Sequence, residues 1–182
     1  MIYTDKEESK ANWEIKSQTK SLVIGNNNPE MLTFIIQPSL NENVEVIINF
    51  EKNYLFFRNI YPFSPEPPPP PKKDGTHEEF VETRKSLKPY FAKLQNEDLR
   101  DLKMIIDKIS AKDFERIEGT YIDGTSYNFS ILYSGNNLKN GFIANEKTEN
   151  QKELVLEILN LLQKTNTFEE NQSILSYYFK HY

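Results

Sequence analysis

The chain contains no cysteine, which excludes disulfides, thiolate nucleophiles and cysteine metal sites and leaves its redox compartment open. Histidine is nearly absent too, with only His77 and His181. His77 stands in DGTHEEF, where Val81 occupies the position that a second histidine would need for a zinc-binding HExxH, so His77 reads as an exposed first-turn residue. His181 lies one residue from the end of the sequence, where chains fray. Six glycines form neither GxGxxG nor GxxxxGK[ST], so no phosphate cradle and no nucleotide cofactor is implied. No GxSxG elbow supports a nucleophilic serine, and the lone Asp123-Gly124-Thr125 is as common in turns as in calcium loops. The reading therefore implies no cofactor and no metal, and it leans away from an enzyme.

Positive charge is also short. A formal net charge of -5 and a pI near 5.2 offer no general attraction for phosphate backbones or anionic lipid, so neither nucleic acid nor membrane is an expected partner. A basic protein surface would be steered towards such a chain, although solubility alone favours the same balance. No stretch approaches the roughly 18 apolar residues of a membrane span, and MIYTDKEESKANWEIK lacks a signal-peptide core. The expectation is a soluble cytoplasmic protein; a chain that had lost a leader would look the same.

What is present suffices for one domain over residues 1–182. Hydrophobic residues make up 37% and aromatics 13%, so the mean hydropathy of -0.66 reflects a polar surface and not an absent core. Trp13 to Gln18 and Leu22 to Ile24 suggest a short first hairpin. MLTFIIQ, VEVIINF and YLFFRNIY then read as an antiparallel meander joined by short polar links, with Val44, Val46, Ile48 and Phe50 on one buried face.

Thr76 and Glu79 have capping-box spacing and predict a helix from His77, in which Phe80, Arg84, Leu87, Phe91 and Leu94 form one stripe that Pro89 kinks or restarts. Asn96 caps a further helix with Leu99, Leu102, Ile106 and Ile109 inside. FERIEGTYIDGTSYNFSILYSG reads as a bulged hairpin around Asp123-Gly124, with Gly119 beneath the ring of Tyr127. Asn140-Gly141 then offers a turn before a third strand, GFIANE. The C-terminal region is helical, with Leu154, Ile158, Leu161 and Leu162 on one stripe, and a Thr167/Glu170 capping box before Ile174, Leu175, Tyr178 and Phe179. Together these segments predict an α+β fold: antiparallel sheet, from an N-terminal meander plus a later β-hairpin, packed with about four helices. Whether the strands form one sheet or two stays open.

Few residues are candidates for chemistry. Glu115, Glu118 and Asp123 are close in sequence, but Glu115 and Glu118 have opposite strand parity and Asp123 is explained by its turn, so no acid/base pair is expected. Aromatic density in YLFFRNIY, YIDGTSYNF and SYYFKHY reads as core packing. Arg58 is the exception: it shares parity with Tyr54, Phe56 and Ile60, so it snorkels at an edge, pairs with a carboxylate, or lines a pocket.

The segment PFSPEPPPPPKKDG, residues 62–75, holds seven of the ten prolines. In polyproline II geometry, Pro65 to Pro71 would extend about 22 Å as a stiff surface connection. Pro67 and Pro70 followed by Lys72 also match the simplest groove-binding PxxP ligand. The spacer reading is preferred, because a strand and a capped helix flank the run.

No motif assigns a family. A small, acidic, cysteine-free α+β chain has the style of bacterial immunity and adaptor proteins, a likeness that rests on no particular residue. The expected function is a non-catalytic protein-binding domain of the immunity, inhibitor or adaptor kind, acting through an acidic, aromatic-containing surface on a basic or toxin-like partner. Pro67, Pro70, Lys72 and Arg58 are the candidate contact residues. The alternative is a small-molecule binder or enzyme with a pocket near Arg58 and the aromatic strands.

Overall fold

The fold was analysed in a computed structural model of the 182-residue chain, which describes residues 28–39, 41–61, 87–115, 124–144 and 146–182. Six antiparallel strands form one sheet: β1 (Pro29–Pro38), β2 (Asn43–Asn49), β3 (Tyr54–Tyr61), β4 (Tyr90–Lys93), β5 (Thr125–Tyr133) and β6 (Asn137–Ile143), in the spatial order β4-β3-β2-β1-β5-β6. Among the described residues there are three α-helices, α1 (Asn96–Lys108), α2 (Glu149–Thr165) and α3 (Glu169–Lys180), and a 3-10 turn over Ala111–Asp113. The fold is α+β, and the two strand groups belong to a single sheet.

The meander follows from strict alternation. Leu32, Phe34 and Ile36 of β1, Val44, Val46 and Ile48 of β2, and Leu55 and Phe57 of β3 are all fully buried, while the residues between them face the other side. Tyr127, Phe129, Ile131 and Tyr133 of β5 complete this inner face, and Leu102, Ile106, Leu154, Ile158, Leu162, Leu175 and Tyr178 cover it from the helices in one core. A strand buried on one face needs only one layer of helices, and the described helices supply that layer.

Five expectations need correction. The stripe expected to run helically to Leu94 ends in β4, whose Tyr90 and Phe91 pair with Phe57 and Phe56 of β3. Pro89 cannot donate to a helix, and its ring pushes Lys88 towards extended geometry, so the aromatic pair finds better partners across a strand than along a helix. The buried side-chain amide of Asn171 holds that bend: its oxygen accepts from the Lys88 N–H at 2.8 Å and its nitrogen donates to the Lys88 carbonyl at 2.9 Å.

Second, Tyr127 pairs with Ile36 of β1 on one side and Ile143 of β6 on the other, so both edges of β5 are taken by these strands; Gly119 lies outside the described residues. The arm of the expected hairpin before Gly124 lies outside the described residues. Third, the turn before the last strand is not Asn140-Gly141 but Ser134–Asn136, where Gly135 and Asn136 adopt φ of 79° and 60°. Asn140 and Gly141 lie inside β6.

Fourth, Thr167 does not cap α3. Asn166 does the local work, its oxygen accepting from the Phe168 N–H at 3.2 Å and from the Asn171 amide at 3.1 Å. The cap of α1 falls one residue earlier than expected, at Gln95, whose N–H donates to Asp98 at 3.1 Å; Leu99, Leu102 and Ile106 are buried as the stripe requires. The N-terminal hairpin, the Thr76/Glu79 helix start with His77, Phe80 and Arg84, and the proline segment with Pro67, Pro70 and Lys72 lie outside the described residues. The ends joined by 62–86 are close together: β3 and β4 are adjacent, and Phe57 pairs with Tyr90.

Candidate interaction surface

The face of the sheet turned away from the core carries two chemically different halves. On β5, β6 and the neighbouring end of β1 it mixes amides and hydroxyls with apolar side chains: Ser130 donates to Asn140 at 2.7 Å and Asn128 donates to Gln37, while Leu132 lies opposite the exposed Leu138 and Phe142 lies opposite Asn128. On β3 and β4 it is aromatic. Cross-strand register sets Phe56 against Phe91 with ring centroids 4.3 Å apart and nearly parallel, and Tyr54 meets Phe91 edge-on at 5.9 Å. Phe91 is 71% exposed, the highest value among the exposed large hydrophobic residues described, although its place in the sequence stripe predicts burial. The short strand β4 reverses its side: Tyr90 and Leu94 go inwards and Phe91 outwards.

Arg58 lies beside this cluster. Its guanidinium is bonded to Glu45 on the neighbouring strand, with Nε to Oε2 at 2.5 Å, and lies 5.9 Å from the centre of the Phe56 ring. Glu45 is directly opposite Arg58 in the β2–β3 register, so the pair is set by the meander itself. About half of the Arg58 side chain is exposed. Of the three possibilities for Arg58, pairing with a carboxylate is the one observed. Two depressions lined by described residues both exclude Arg58; one is bordered by Asn28, Pro29, Glu30, Phe50, Glu51 and Lys103, the other lies on the helix layer.

Two further constellations escaped sequence reasoning. Asp113, fully buried, ends the 3-10 turn. Its carboxylate accepts from the Ser110 N–H and hydroxyl, each at 2.8 Å, from Thr148 Oγ1 at 2.6 Å and from Asn150 Nδ2 at 3.0 Å. Its own carbonyl accepts from the buried Gln151 amide at 2.9 Å. Burial alone would push the Asp113 carboxyl up, but these hydrogen bonds overcome it and hold the pKa down at about 2. The cluster ties the 3-10 turn to the N-terminus of α2, where a negative charge is favourable. The signal was legible as Ser110-x-x-Asp113, a capping box in miniature. Of the carboxylates weighed from sequence, Glu115 is exposed, and Glu118 and Asp123 lie outside the described residues.

The second is a tyrosine cluster around Lys147. The Lys147 ammonium sits 5.7 Å from the Tyr127 ring centre and 5.4 Å from that of Tyr182, and burial, then Lys152, pushes its pKa down. Tyr178 donates to the Glu42 carbonyl at 2.7 Å, whereas the buried Tyr127 hydroxyl has no hydrogen-bond partner among the described residues. Tyr127→Phe is therefore expected to leave stability unchanged or raise it by up to about 1 kcal/mol, while Tyr178→Phe costs about 1 kcal/mol. Parallel urea denaturation of the two variants checks this.

Among the described residues no three histidine, aspartate or glutamate side chains come together as a metal site, and no helix is long and apolar enough to cross a membrane. The His181 ring lies against Tyr177 with centroids 4.3 Å apart and planes tilted by 32°. No protein family, curated protein or solved structure matches this chain. The geometry of the surface has to carry the functional reading alone.

Proposed function

We propose that the chain is a non-catalytic protein-binding domain, of the immunity, inhibitor or adaptor kind, working in the cytoplasm. Its contact surface is the aromatic corner formed by Tyr54, Phe56, Phe91 and Arg58. The observation that carries the reading is Phe91, a large exposed aromatic stacked on Phe56, next to an arginine that is bonded to Glu45. Aromatic and arginine side chains are the residue types that dominate protein interfaces, and a pre-ordered pair loses little side-chain entropy on docking. The net charge of -5 supports a basic, toxin-like or enzyme partner, whose approach it would accelerate at low salt. The Arg58 pocket of the alternative reading gains no support from a half-exposed guanidinium paired with Glu45.

The test is affinity capture from the native cell at low salt, with the protein, Phe91→Ser and Arg58→Glu as baits. A specific partner retained by the parent and lost by both variants, each with unchanged circular dichroism, supports the proposal. Equal capture by all three baits, or turnover of a metabolite by the purified protein, overturns it.

A further inference from the structure

The helix layer, on the other side of the sheet from the aromatic corner, carries a groove of its own. Helices α1 and α2 run antiparallel: Lys108 near the end of α1 bonds Glu153 near the start of α2 at 2.7 Å, and Asp98 at the start of α1 bonds Lys164 at the end of α2 at 2.7 Å. Between these ion pairs lies a depression of about 390 Å³ lined by Asp101, Met104, Ile105 and Lys108 of α1 and by Glu153, Leu156, Glu157 and Asn160 of α2.

On each helix these positions follow the i, i+3, i+4, i+7 spacing of a single helical stripe, so the depression is the valley between two parallel ridges. Its floor is apolar, with Met104 52% and Leu156 41% exposed and Ile105 packed against the core. Its walls carry three carboxylates, Asp101, Glu153 and Glu157, against one lining cation, Lys108; Asp101 also meets the solvent-exposed Arg100 Nε at 3.3 Å, an exposed contact that an incoming cation can share or replace. Glu153 and Lys108 neutralise one another at one end, but Glu157 is crowded: burial, then Asp101 and Asp98, push its carboxyl up against the opposing pull of Lys164 and Asn160. A cation brought in from outside would relieve that crowding.

We infer that this groove binds a basic amphipathic helix of a partner protein, with apolar side chains on Met104, Ile105 and Leu156 and lysine or arginine against Asp101 and Glu157. A third helix is the shape that fills a valley between two helices, and the flexible thioether of Met104 adapts to different apolar side chains. The stripe from 101 to 108 spans about 10 Å, so about two turns of the incoming helix make contact. This contact is independent of the aromatic corner, and a domain holding both would join two partners.

The test uses a synthetic helical peptide of about 14 residues, with leucine at helical spacing and lysine elsewhere, and the same peptide with glutamate replacing lysine. Calorimetry with the full chain is expected to show the lysine peptide binding at least about tenfold more tightly than the glutamate one. Asp101→Lys with Glu157→Lys is expected to weaken the lysine peptide about tenfold, and Leu156→Asp to abolish binding. Glu169→Lys with Glu170→Lys makes the same change in net charge at positions that do not line the groove, and should weaken it less than about twofold.

Equal weakening by both double variants would mean that only the overall negative field attracts the peptide. That outcome overturns the inference, as does binding that survives Leu156→Asp. Sedimentation of the unliganded protein adds one more outcome: a concentration-dependent dimer lost in Leu156→Asp would assign the groove to a second copy of this chain and overturn the basic-helix reading.

Discussion

Asp113→Ala is expected to lower stability by about 3 kcal/mol, enough to move the midpoint of thermal unfolding by about 6–12 °C in a domain of this size. The substitution removes the acceptor for four donors at once: the Ser110 N–H, the Ser110 and Thr148 hydroxyls and the Asn150 amide. None of these can be rescued by water without opening the junction, because Asp113 has no exposed surface. Asp113→Asn separates charge from shape. It leaves one acceptor oxygen and turns an NH2 towards donors, so it should cost nearly as much.

The same residue predicts a pH dependence with a definite sign. Its hydrogen bonds hold the carboxyl down at about 2 in the folded chain against an ordinary value of 3.8, so its contribution is present above pH 4 and is lost as the pH falls from there through 2. The shift corresponds to about 2 kcal/mol. Denaturation of the parent and of Asp113→Asn at pH 2, 3, 4 and 6 should show the two stabilities converging below pH 3. Parallel curves across that range would mean that Asp113 does not carry this linkage.

Gly141→Ala is the second large effect. A Cβ at Gly141 would lie 2.2 Å from Cζ and 2.4 Å from Cε1 of Phe129, the residue directly opposite it on β5. Phe129 is 1% exposed and packs against Phe114 at 5.5 Å, so the ring has nowhere to move without disturbing the core. The cost should be about 1–3 kcal/mol, and more for valine. Phe129→Leu by itself loses packing, but combined with Gly141→Ala it should cost at least about 1 kcal/mol less than the sum of the two changes, because each relieves the other. A denaturation cycle over the three variants measures that coupling. Strict additivity would show that Gly141 is needed for something other than room.

Gly141 also shows why the sequence misled. YSGNNLKNGFI holds two places where glycine and asparagine are adjacent, and either pair fits a turn. Gly135-Asn136 uses its freedom to adopt positive φ; Gly141 uses its lack of a side chain, beneath an aromatic ring. One residue type answers two physical demands, and only the cross-strand partner shows which applies. Phe129 lies over the bare backbone of Gly141, the kind of contact that the sequence suggests for Tyr127 and Gly119, of which Gly119 lies outside the described residues.

Phe91 is the parallel case for the candidate site. Its spacing to Leu87 and Leu94 suits a helix, yet the same residues read as a strand from Tyr90 put Tyr90 inwards and Phe91 outwards. Arg58 was flagged by parity alone, and its carboxylate became visible only when β2 and β3 were set in register. The groove between α1 and α2 could not be read from either helix, because its two stripes lie about 50 residues apart in the chain.

The periodicity of MLTFIIQ, VEVIINF and YLFFRNIY determined three strands, one buried face and an antiparallel meander, because side-chain alternation and short polar links are local properties. The apolar stripes of α1, α2 and α3 were determined in the same way. Tertiary structure decided what depends on distant neighbours: that β5 adds to β1 and makes one sheet, that the chain from Tyr90 to Lys93 is strand and not helix, and that Asp113 is a buried hub. The reason is shared. Propensity and pattern say which conformations a segment tolerates, and the partner across the sheet or core, remote in sequence, selects among them.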